Sequence, residues 1–233
     1  MIPLVSIGNF ISFLASFFSS IRLYSAYKKS KNIEIGYFFG STAFITLYFF
    51  DISLPGLLIN DNYVLGFTNA ISLPIALVSC LFFAIIPLEL IKLEKFKKLY
   101  ISIIAITIIL VLLLRALAFS PLRRVEKENF VFWLRPVDSR IKVAHLIGGL
   151  VTLISLLISG ASFLFYGFKN RRDSYIFRRS LLLGGGATSM GVTAGVNYIM
   201  GSTPNIQTLI SGSLLAVISL MLILSGVLYR KKE

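Results

Sequence analysis

Seven long apolar runs constrain this chain more than any other feature of its sequence. A helix needs about 20 apolar residues to cross hydrocarbon ~30 Å thick, because each residue adds ~1.5 Å. Each run reaches that length and is bounded by charged or turn-forming residues. The runs lie at residues 2–24, 35–59, 63–91, 100–119, 143–168, 181–200 and 206–229. We therefore predict an all-α membrane protein, a single bundle of seven transmembrane helices.

The composition of the chain agrees with a membrane environment. Of the 233 residues, 56% are hydrophobic and 14% are charged, and the mean hydropathy is +0.85. A soluble domain with these proportions would expose far more apolar surface than water tolerates. The formal net charge is +13, but the basic residues stand in short groups between the apolar runs. Such groups are typical of loops that face anionic lipid, so we expect a lipid bilayer, and not nucleic acid, as their partner.

The basic residues also predict how the chain is oriented. Cytoplasmic loops of membrane proteins are enriched in Lys and Arg. If the N-terminus is outside, fifteen basic residues fall on the cytoplasmic side. They are Lys28, Lys29, Lys31, Lys92, Lys95, Lys97, Lys98, Lys169, Arg171, Arg172, Arg178, Arg179, Arg230, Lys231 and Lys232. The outer side has six, all within residues 120–142. We predict a multi-pass protein of the cell membrane with its N-terminus outside and its C-terminus in the cytoplasm.

The outer loop at 120–142 is the only predicted connection long enough to have structure of its own. Its centre, residues 130–134, reads Phe-Val-Phe-Trp-Leu and is flanked by basic residues. This pattern suits a short strand or a segment in the membrane interface, with Trp133 at the level of the lipid headgroups. Two roles stay open for the loop: an aromatic anchor, and a lid over an outward-facing pocket.

Two ionisable residues fall inside predicted helices, where a charge costs about 2.5–3.5 kcal/mol. Asp51 in the second run and Arg115 in the fourth each lie about five residues outward from the middle of the run. Because their depths match, we consider an ion pair between them, and Pro55 frees a backbone carbonyl one turn beyond Asp51. Four more polar residues belong to the same outer half: Asn9, Asn69, Asn197 and His145. The six residues are either a ligand or ion site around Asp51 and Arg115, or a structural salt bridge with satisfied amides.

The sequence offers little for enzyme chemistry. Its single histidine, His145, leaves no paired-histidine haem or zinc site, and its single cysteine, Cys80, leaves no disulfide or CxxC site. It contains no Gly-x-Ser-x-Gly nucleophile motif, and the seventh run has no lysine that would hold retinal. We expect a non-enzymatic protein with no cofactor and no bound metal.

The segment that leads into the sixth run has a recognisable pattern. From Tyr175 to Gly186 it reads Tyr-Ile-Phe-Arg-Arg-Ser-Leu-Leu-Leu-Gly-Gly-Gly. With seven helices and a polar outer half, this resembles the membrane sensor domains at the front of many bacterial histidine kinases. Those domains normally continue into a kinase or cyclase, whereas we expect no further domain after the seventh run. The resemblance implies a sensor-like or ligand-binding module that takes a small ligand from outside and acts through a protein partner on the cytoplasmic side.

Sliding the chain against itself by 140 residues suggests an internal repeat. The shift pairs Ile7 with Ile147, Gly8 with Gly148, Ser19 with Ser159 and Lys29 with Lys169. A 3+1+3 arrangement, with helices one to three repeated as five to seven, resembles the small SWEET-type transporters. This second resemblance implies transport of a small solute or ion, although the PQ-type motifs of that superfamily are absent.

Small residues four positions apart predict close contact between helices. Ala187, Gly191 and Gly195 share one face of the sixth run. Such faces let helix backbones approach closely, within the bundle or in an oligomer. They also suit a third alternative, a structural subunit of a larger membrane complex.

Overall fold

The computed structural model describes residues 3–59, 61–90, 94–127, 130–134, 138–195 and 206–229. Within these residues the chain forms seven α-helices and one antiparallel pair of strands. The elements are α1 (Leu4–Ser30), α2 (Ile33–Leu58), α3 (Asn62–Leu90), α4 (Glu94–Leu117), β1 (Arg123–Lys127), β2 (Phe130–Leu134), α5 (Ser139–Lys169), α6 (Ser174–Gly195) and α7 (Ile206–Leu228). The predicted all-helical bundle is confirmed.

Six of the seven described helices are long and apolar enough to cross a membrane, which is the property of a multi-pass membrane protein. The exception is α6, although the sequence predicts seven spanning helices. Arg178 and Arg179 lie near the start of α6, and Gly, Ser and Thr take the place of long apolar residues along it. This helix is therefore suited to contact with other helices more than to contact with lipid.

Asp and Asn residues in the short connections start several of the helices. Asn32 Oδ1 accepts hydrogen bonds from two backbone N–H groups in the first turn of α2, at 2.8 and 3.3 Å. Asp61, Asp138 and Asp173 accept equivalent bonds at the starts of α3, α5 and α6. These caps satisfy donors that a helix leaves open in its first turn. Each of these helices therefore begins directly after its connection.

Six of the helices form a closed ring. Their order around the ring is α1, α2, α3, α5, α6 and α7, and α7 packs back against α1. Consecutive helices run in alternate directions, so the connections gather at two ends of the bundle. The hairpin end carries β1 and β2, and the basic end carries the Lys- and Arg-rich connections that follow α1, α3 and α5.

The ring consists of two three-helix halves whose corresponding helices lie about 140 residues apart in the chain. Adding 140 to the bounds of α2 gives 173–198, and α6 occupies 174–195. The same shift applied to α3 gives 202–230, and the described part of α7 is 206–228. The order of neighbours around the ring is also unchanged when α1, α2 and α3 are replaced by α5, α6 and α7. The offset of 140 residues considered from the sequence therefore relates the bounds of the helices in the two halves.

Two glycine contacts are related by the same offset of 140 residues. One lies where α1 meets α7 and the other where α3 meets α5, and these are the two seams between the halves. A Cβ atom on Gly8 of α1 would lie 2.6 Å from Ser213 Oγ of α7. A Cβ atom on Gly148 of α5 would lie 2.6 Å from Leu73 Cδ2 of α3. The shift of 140 relates Gly8 to Gly148, and it also relates Leu73 to Ser213. Both seams therefore close through the same kind of contact, a glycine that admits a neighbouring side chain.

Helix α4 lies outside the ring, against α3 and α5. Its buried positions are Ile104, Thr107, Val111 and Arg115, which repeat every three or four residues and form one stripe. The other faces expose large apolar side chains, as expected for contact with lipid. Arg115 lies on the packed stripe, so its side chain is buried between α4 and its neighbours.

The two strands form a hairpin beside the ends of α1 and α2. Register pairs Val125 with Phe132 and Arg124 with Trp133. Residues 130–134 form a strand, one of the two structures considered for them from the sequence. Its partner strand was missed because only Val125 among residues 123–127 is apolar. Trp133 borders a groove with residues 56–59 of α2 and Pro3, so the hairpin packs on the bundle. Its role as anchor or lid stays a prediction.

Three consecutive glycines in α6 differ in their surroundings. A Cβ on Gly184 would lie 2.6 Å from Leu164 Cγ and 2.9 Å from the backbone oxygen of Gly160. A Cβ on Gly186 would lie 2.9 Å from the backbone oxygen of Ser219. A Cβ on Gly185 would meet nothing within 4 Å. Gly184 and Gly186 therefore admit α5 and α7, while Gly185 lies between them on an open face.

Replacing Gly184 or Gly185 by alanine distinguishes the effect of close helix packing on stability from the effect of backbone flexibility. We expect Gly184→Ala to lower the free energy of unfolding by about 1–3 kcal/mol, because backbone atoms of α5 must move. The matched change Gly185→Ala should raise it by about 0.5–1 kcal/mol, because alanine restricts the unfolded chain without a clash. Unfolding of the purified protein in detergent measures both. Equal effects of the two changes would contradict the close contact at Gly184.

Candidate functional site

A central cavity lies inside the ring and has a volume of about 80 Å³. All six ring helices contribute lining residues, and α4 contributes none. Sites for drug-sized molecules typically have volumes of about 300–1,000 Å³, so this cavity has room only for a much smaller molecule. Among the described residues that line the cavity, none is Asp, Glu, Lys, Arg or His. The described wall of the cavity is therefore uncharged.

Seven of the eighteen lining residues are polar. They are Asn9, Ser41, Thr42, Tyr48, Ser79, Thr152 and Thr193. The remaining eleven are apolar or weakly polar, with Phe49, Phe83 and Met190 among the largest. This mixture, mainly apolar with a few polar groups, is characteristic of ligand pockets.

Most of the lining hydroxyl groups already donate their proton to the protein. Thr193 Oγ1 donates to the backbone oxygen of Ser189 at 2.9 Å, and Thr42 Oγ1 donates to backbone oxygens of the preceding turn. Ser79 Oγ donates to the backbone oxygen of Ser41 at 2.8 Å and lies 3.1 Å from Ser41 Oγ, which donates to it. These hydroxyls retain acceptor capacity, but their protons are committed.

Thr152 of α5 differs from the other lining threonines. Its side chain is 3% exposed, and its hydroxyl oxygen makes no hydrogen bond to the described part of the chain. The nearest polar group is the thiol of Cys80, which is a weak hydrogen-bonding partner. A buried hydroxyl without a partner costs about 1–3 kcal/mol. Thr152 thus has, among the described residues, only this weak partner at the wall of the cavity.

An aromatic trio packs beside the cavity, in the parts of α2, α3 and α5 that lie towards the basic end. The rings of Phe38, Phe83 and Phe163 lie with centroids 5.7, 6.0 and 6.4 Å apart. Phe38 and Phe163 are almost fully buried, and Phe83 also lines the cavity. Each ring comes from a different helix, α2, α3 or α5, so the trio joins the two halves of the ring. Edge-to-face packing of this kind adds stability beyond burial.

Of the five predicted site residues that the structure describes, Asn9 is the one that lines the central cavity. It lies on α1, opposite α5 across the ring. Its amide makes no hydrogen bond within the described residues. Asn9 therefore presents both donor and acceptor groups to the cavity. Asn197 falls outside the described residues.

Arg115 is paired with His145, and not with Asp51. Arg115 Nη2 lies 2.7 Å from His145 Nε2, and both side chains are 5% exposed. His145 Nδ1 lies 2.9 Å from the backbone oxygen of Ile141, which accepts only. Nδ1 is therefore the donor atom of the imidazole, and Nε2 accepts from the guanidinium. The contact fastens α4 to α5 near the hairpin end.

Asp51 is buried in α2, with 8% of its side chain exposed, and does not form the ion pair considered from the sequence. One of its carboxyl oxygens is fully buried and has no partner within the described residues. The reason is the ring order, because α3 stands between α2 and α4. Asn69 is half-buried in α3, and its backbone oxygen accepts from Ser72 Oγ at 2.9 Å. Neither residue is among those that line the central cavity.

Sequence reasoning missed most of the cavity. Thr42, Ser79, Thr152 and Thr193 are common residues of membrane helices, where a hydroxyl is satisfied by its own backbone. Nothing in their spacing distinguishes a wall of a cavity from a helix contact. The internal repeat was the one available signal, because sites in repeated membrane folds lie where the repeats meet.

Comparison with known proteins identifies no relative of this chain. The chain matches no protein-family model, no curated protein and no solved structure.

The pairing of Arg115 with His145 predicts which substitutions destabilise the bundle. We expect His145→Phe to lower the free energy of unfolding by about 1.5–3 kcal/mol, because a buried guanidinium loses an acceptor. Asp51→Asn should not lower it, since no hydrogen bond or ion pair of Asp51 within the described residues is lost and a buried carboxylate without a partner is itself costly. Unfolding in detergent at one pH measures both.

A double-mutant cycle tests the alternative pairing. Asp51→Asn and Arg115→Gln should act additively to within about 0.5 kcal/mol. A larger coupling free energy would show that the two side chains interact in the folded protein, contrary to the geometry described above.

Proposed function

We propose that the chain is a non-enzymatic integral membrane protein that binds a small ligand in its central cavity and responds through movement of the surrounding helices. The cavity carries this proposal, since it lies where the two three-helix halves meet and is lined by both. A ligand that contacts both halves stabilises one arrangement of the halves over another. That property suits a sensor-like module that acts through a partner protein.

The same proposal places the N-terminus outside and the C-terminus in the cytoplasm. Basic residues gather at one end of the bundle, at the connections that follow α1, α3 and α5. The inner leaflet attracts such residues because its lipids are anionic. The partner protein would then meet the basic end.

Filling the cavity should remove ligand binding without unfolding the protein. Ala216 of α7 is 2% exposed and lines the cavity. Ala216→Leu places three further carbon atoms in empty space. We expect small molecules extracted from purified wild-type protein, identified by mass spectrometry, to include one that is absent from the Ala216→Leu protein.

The matched control is Ala161→Leu, which makes the same change on an exposed face of α5. This variant should retain the molecule found with the wild-type protein. Equal retention by all three proteins would contradict binding in the cavity, as would a molecule lost from both variants.

Transport is a second candidate, and the internal repeat favours it. Parallel repeats related by an axis along the membrane normal occur in transporters, with the substrate site between them. Here both seams close through equivalent glycine contacts, at Gly8 and Gly148. Because Phe38, Phe83 and Phe163 pack together towards the basic end, transport through that end would require these rings to separate during the cycle.

Vesicles distinguish the two candidates. The molecule retained by the wild-type protein is loaded into protein-free vesicles, vesicles with wild-type protein and vesicles with Ala216→Leu. Faster release with the wild-type protein alone supports transport. Equal release from all three, together with loss of binding in Ala216→Leu, supports a ligand-binding sensor.

A further inference from the structure

We propose that Asp51 is a proton-binding site: its side chain is held as a neutral carboxylic acid where α2 packs against α3, and loss of the proton loosens this contact. On release, the O–H bond of the carboxyl group breaks and water takes the proton. Asp51 lies seven residues before the end of α2, so the nearer water is at the hairpin end. Asp51 does not line the central cavity, and this proposal does not depend on what the cavity binds.

Asp51 lies on the face of α2 that contacts α3. A Cβ atom on Gly40 would lie 2.9 Å from Phe82 Cδ1 of α3, and the rings of Phe44 and Phe82 stack with their centroids 5.7 Å apart. Asp51 follows Gly40 by eleven residues and Phe44 by seven, spacings that return to the same side of a helix. Because Asp51 is only 8% exposed, its carboxyl group is packed within the bundle and not turned towards lipid.

The register of α2 and α3 shows what lies at the depth of Asp51. Ser41 Oγ of α2 and Ser79 Oγ of α3 are 3.1 Å apart. The two helices are antiparallel, so ten residues onward from Ser41 and ten residues back from Ser79 reach the same depth, which places Asn69 level with Asp51. Residues 65–73 of α3 include no ionisable side chain. Helix α3 therefore has no charge of its own at this depth.

Helix α1, the other neighbour of α2 in the ring, has no charge at this depth either. Ser20 Oγ of α1 lies 3.3 Å from Thr46 Oγ1 of α2, which fixes the register of the two helices. The first ionisable residue of α1 is Arg22, which lies beyond that contact towards the basic end. Asp51 lies beyond the same contact in the opposite direction, towards the hairpin end.

The cations nearest to this region in the described chain have other partners. Arg115 lies on α4, behind α3, and its guanidinium contacts His145 at 2.7 Å. Arg124 of the hairpin borders the last residues of α2 and pairs with Glu126 at 2.9 Å. The other ionisable residues of α2 and α3 are not cations; they are Glu34, Tyr37, Tyr48, Tyr63, Cys80 and Glu89.

A proton suits this carboxyl group better than a metal ion does. One oxygen of Asp51 is fully buried and has no hydrogen-bond partner within the described residues. A buried carboxylate without an opposite charge is costly, and taking up a proton removes the charge. A metal ion would need several oxygen ligands, about six to eight for Ca²⁺. The described residues contain no cluster of three or more His, Cys, Asp and Glu that could hold one.

The other three aspartates of the chain provide an internal reference. Asp61, Asp138 and Asp173 each lie at the start of a helix and accept hydrogen bonds from backbone N–H groups at 2.7–3.1 Å. We expect these three to give carboxylate signals at about pH 6, as aspartates in water do. Asp51 is the one aspartate for which we expect the signal of a carboxylic acid.

Infrared spectroscopy separates the two forms, because a carboxylic acid and a carboxylate absorb at different frequencies. Protein made by cell-free synthesis with ¹³C-labelled aspartate should show, at about pH 6, one carboxylic-acid band that shifts with the label. The band should be lost in Asp51→Asn and retained in the matched change Asp61→Asn. The label marks four residues, so a wild-type spectrum without an acid band overturns the proposal by itself. An acid band that persists in Asp51→Asn also overturns it.

Hydrogen exchange tests whether proton loss loosens the contact of α2 with α3. Asp51→Asn keeps the side chain neutral at every pH. From about pH 5 to about pH 6, amide exchange in residues 47–54 should accelerate about tenfold in the wild-type protein relative to Asp51→Asn, because one proton is lost on opening. Comparing the two proteins at each pH cancels the intrinsic pH dependence of exchange. The same ratio of rates at both pH values would overturn the link between the proton and the helix contact.

Discussion

The glycine contacts at the two seams, Gly8 with Ser213 and Gly148 with Leu73, determine the shape of this bundle. Lipid gives no hydrophobic drive for helices to associate, so close packing must supply it. Two such seams join the halves into a ring of six. A regular ring of six equal cylinders leaves room for a seventh at its centre, yet α4 lies outside. The centre must therefore be filled by side chains, and the Phe38, Phe83 and Phe163 trio fills only one end. The cavity follows from ring closure.

The interior tolerates many hydroxyl groups because most of them bond within the protein. Ser159 donates to the backbone oxygen of Ser155 at 2.7 Å, and Ser219 donates to that of Leu215 at 2.6 Å. Residues of this kind are small enough for close helix contact and do not leave an unsatisfied proton. Thr152 is informative against this background, since the same residue type at the same depth lacks the usual bond. The folded protein therefore contains, at the wall of its central cavity, a buried hydroxyl that lacks its usual hydrogen bond to the backbone.

Run length was enough to predict the helices, because crossing a membrane fixes a minimum number of apolar residues. The sequence also singled out Asp51 and Arg115, which are both buried polar residues of their helices. The sequence did not show how the helices are arranged around the bundle, and this arrangement decides the partner of Arg115. Because α3 separates α2 from α4, Arg115 turns to His145 on α5. The strand at 123–127 was missed for a different reason. Only one of its five residues is apolar, and the strand is defined by its pairing with β2.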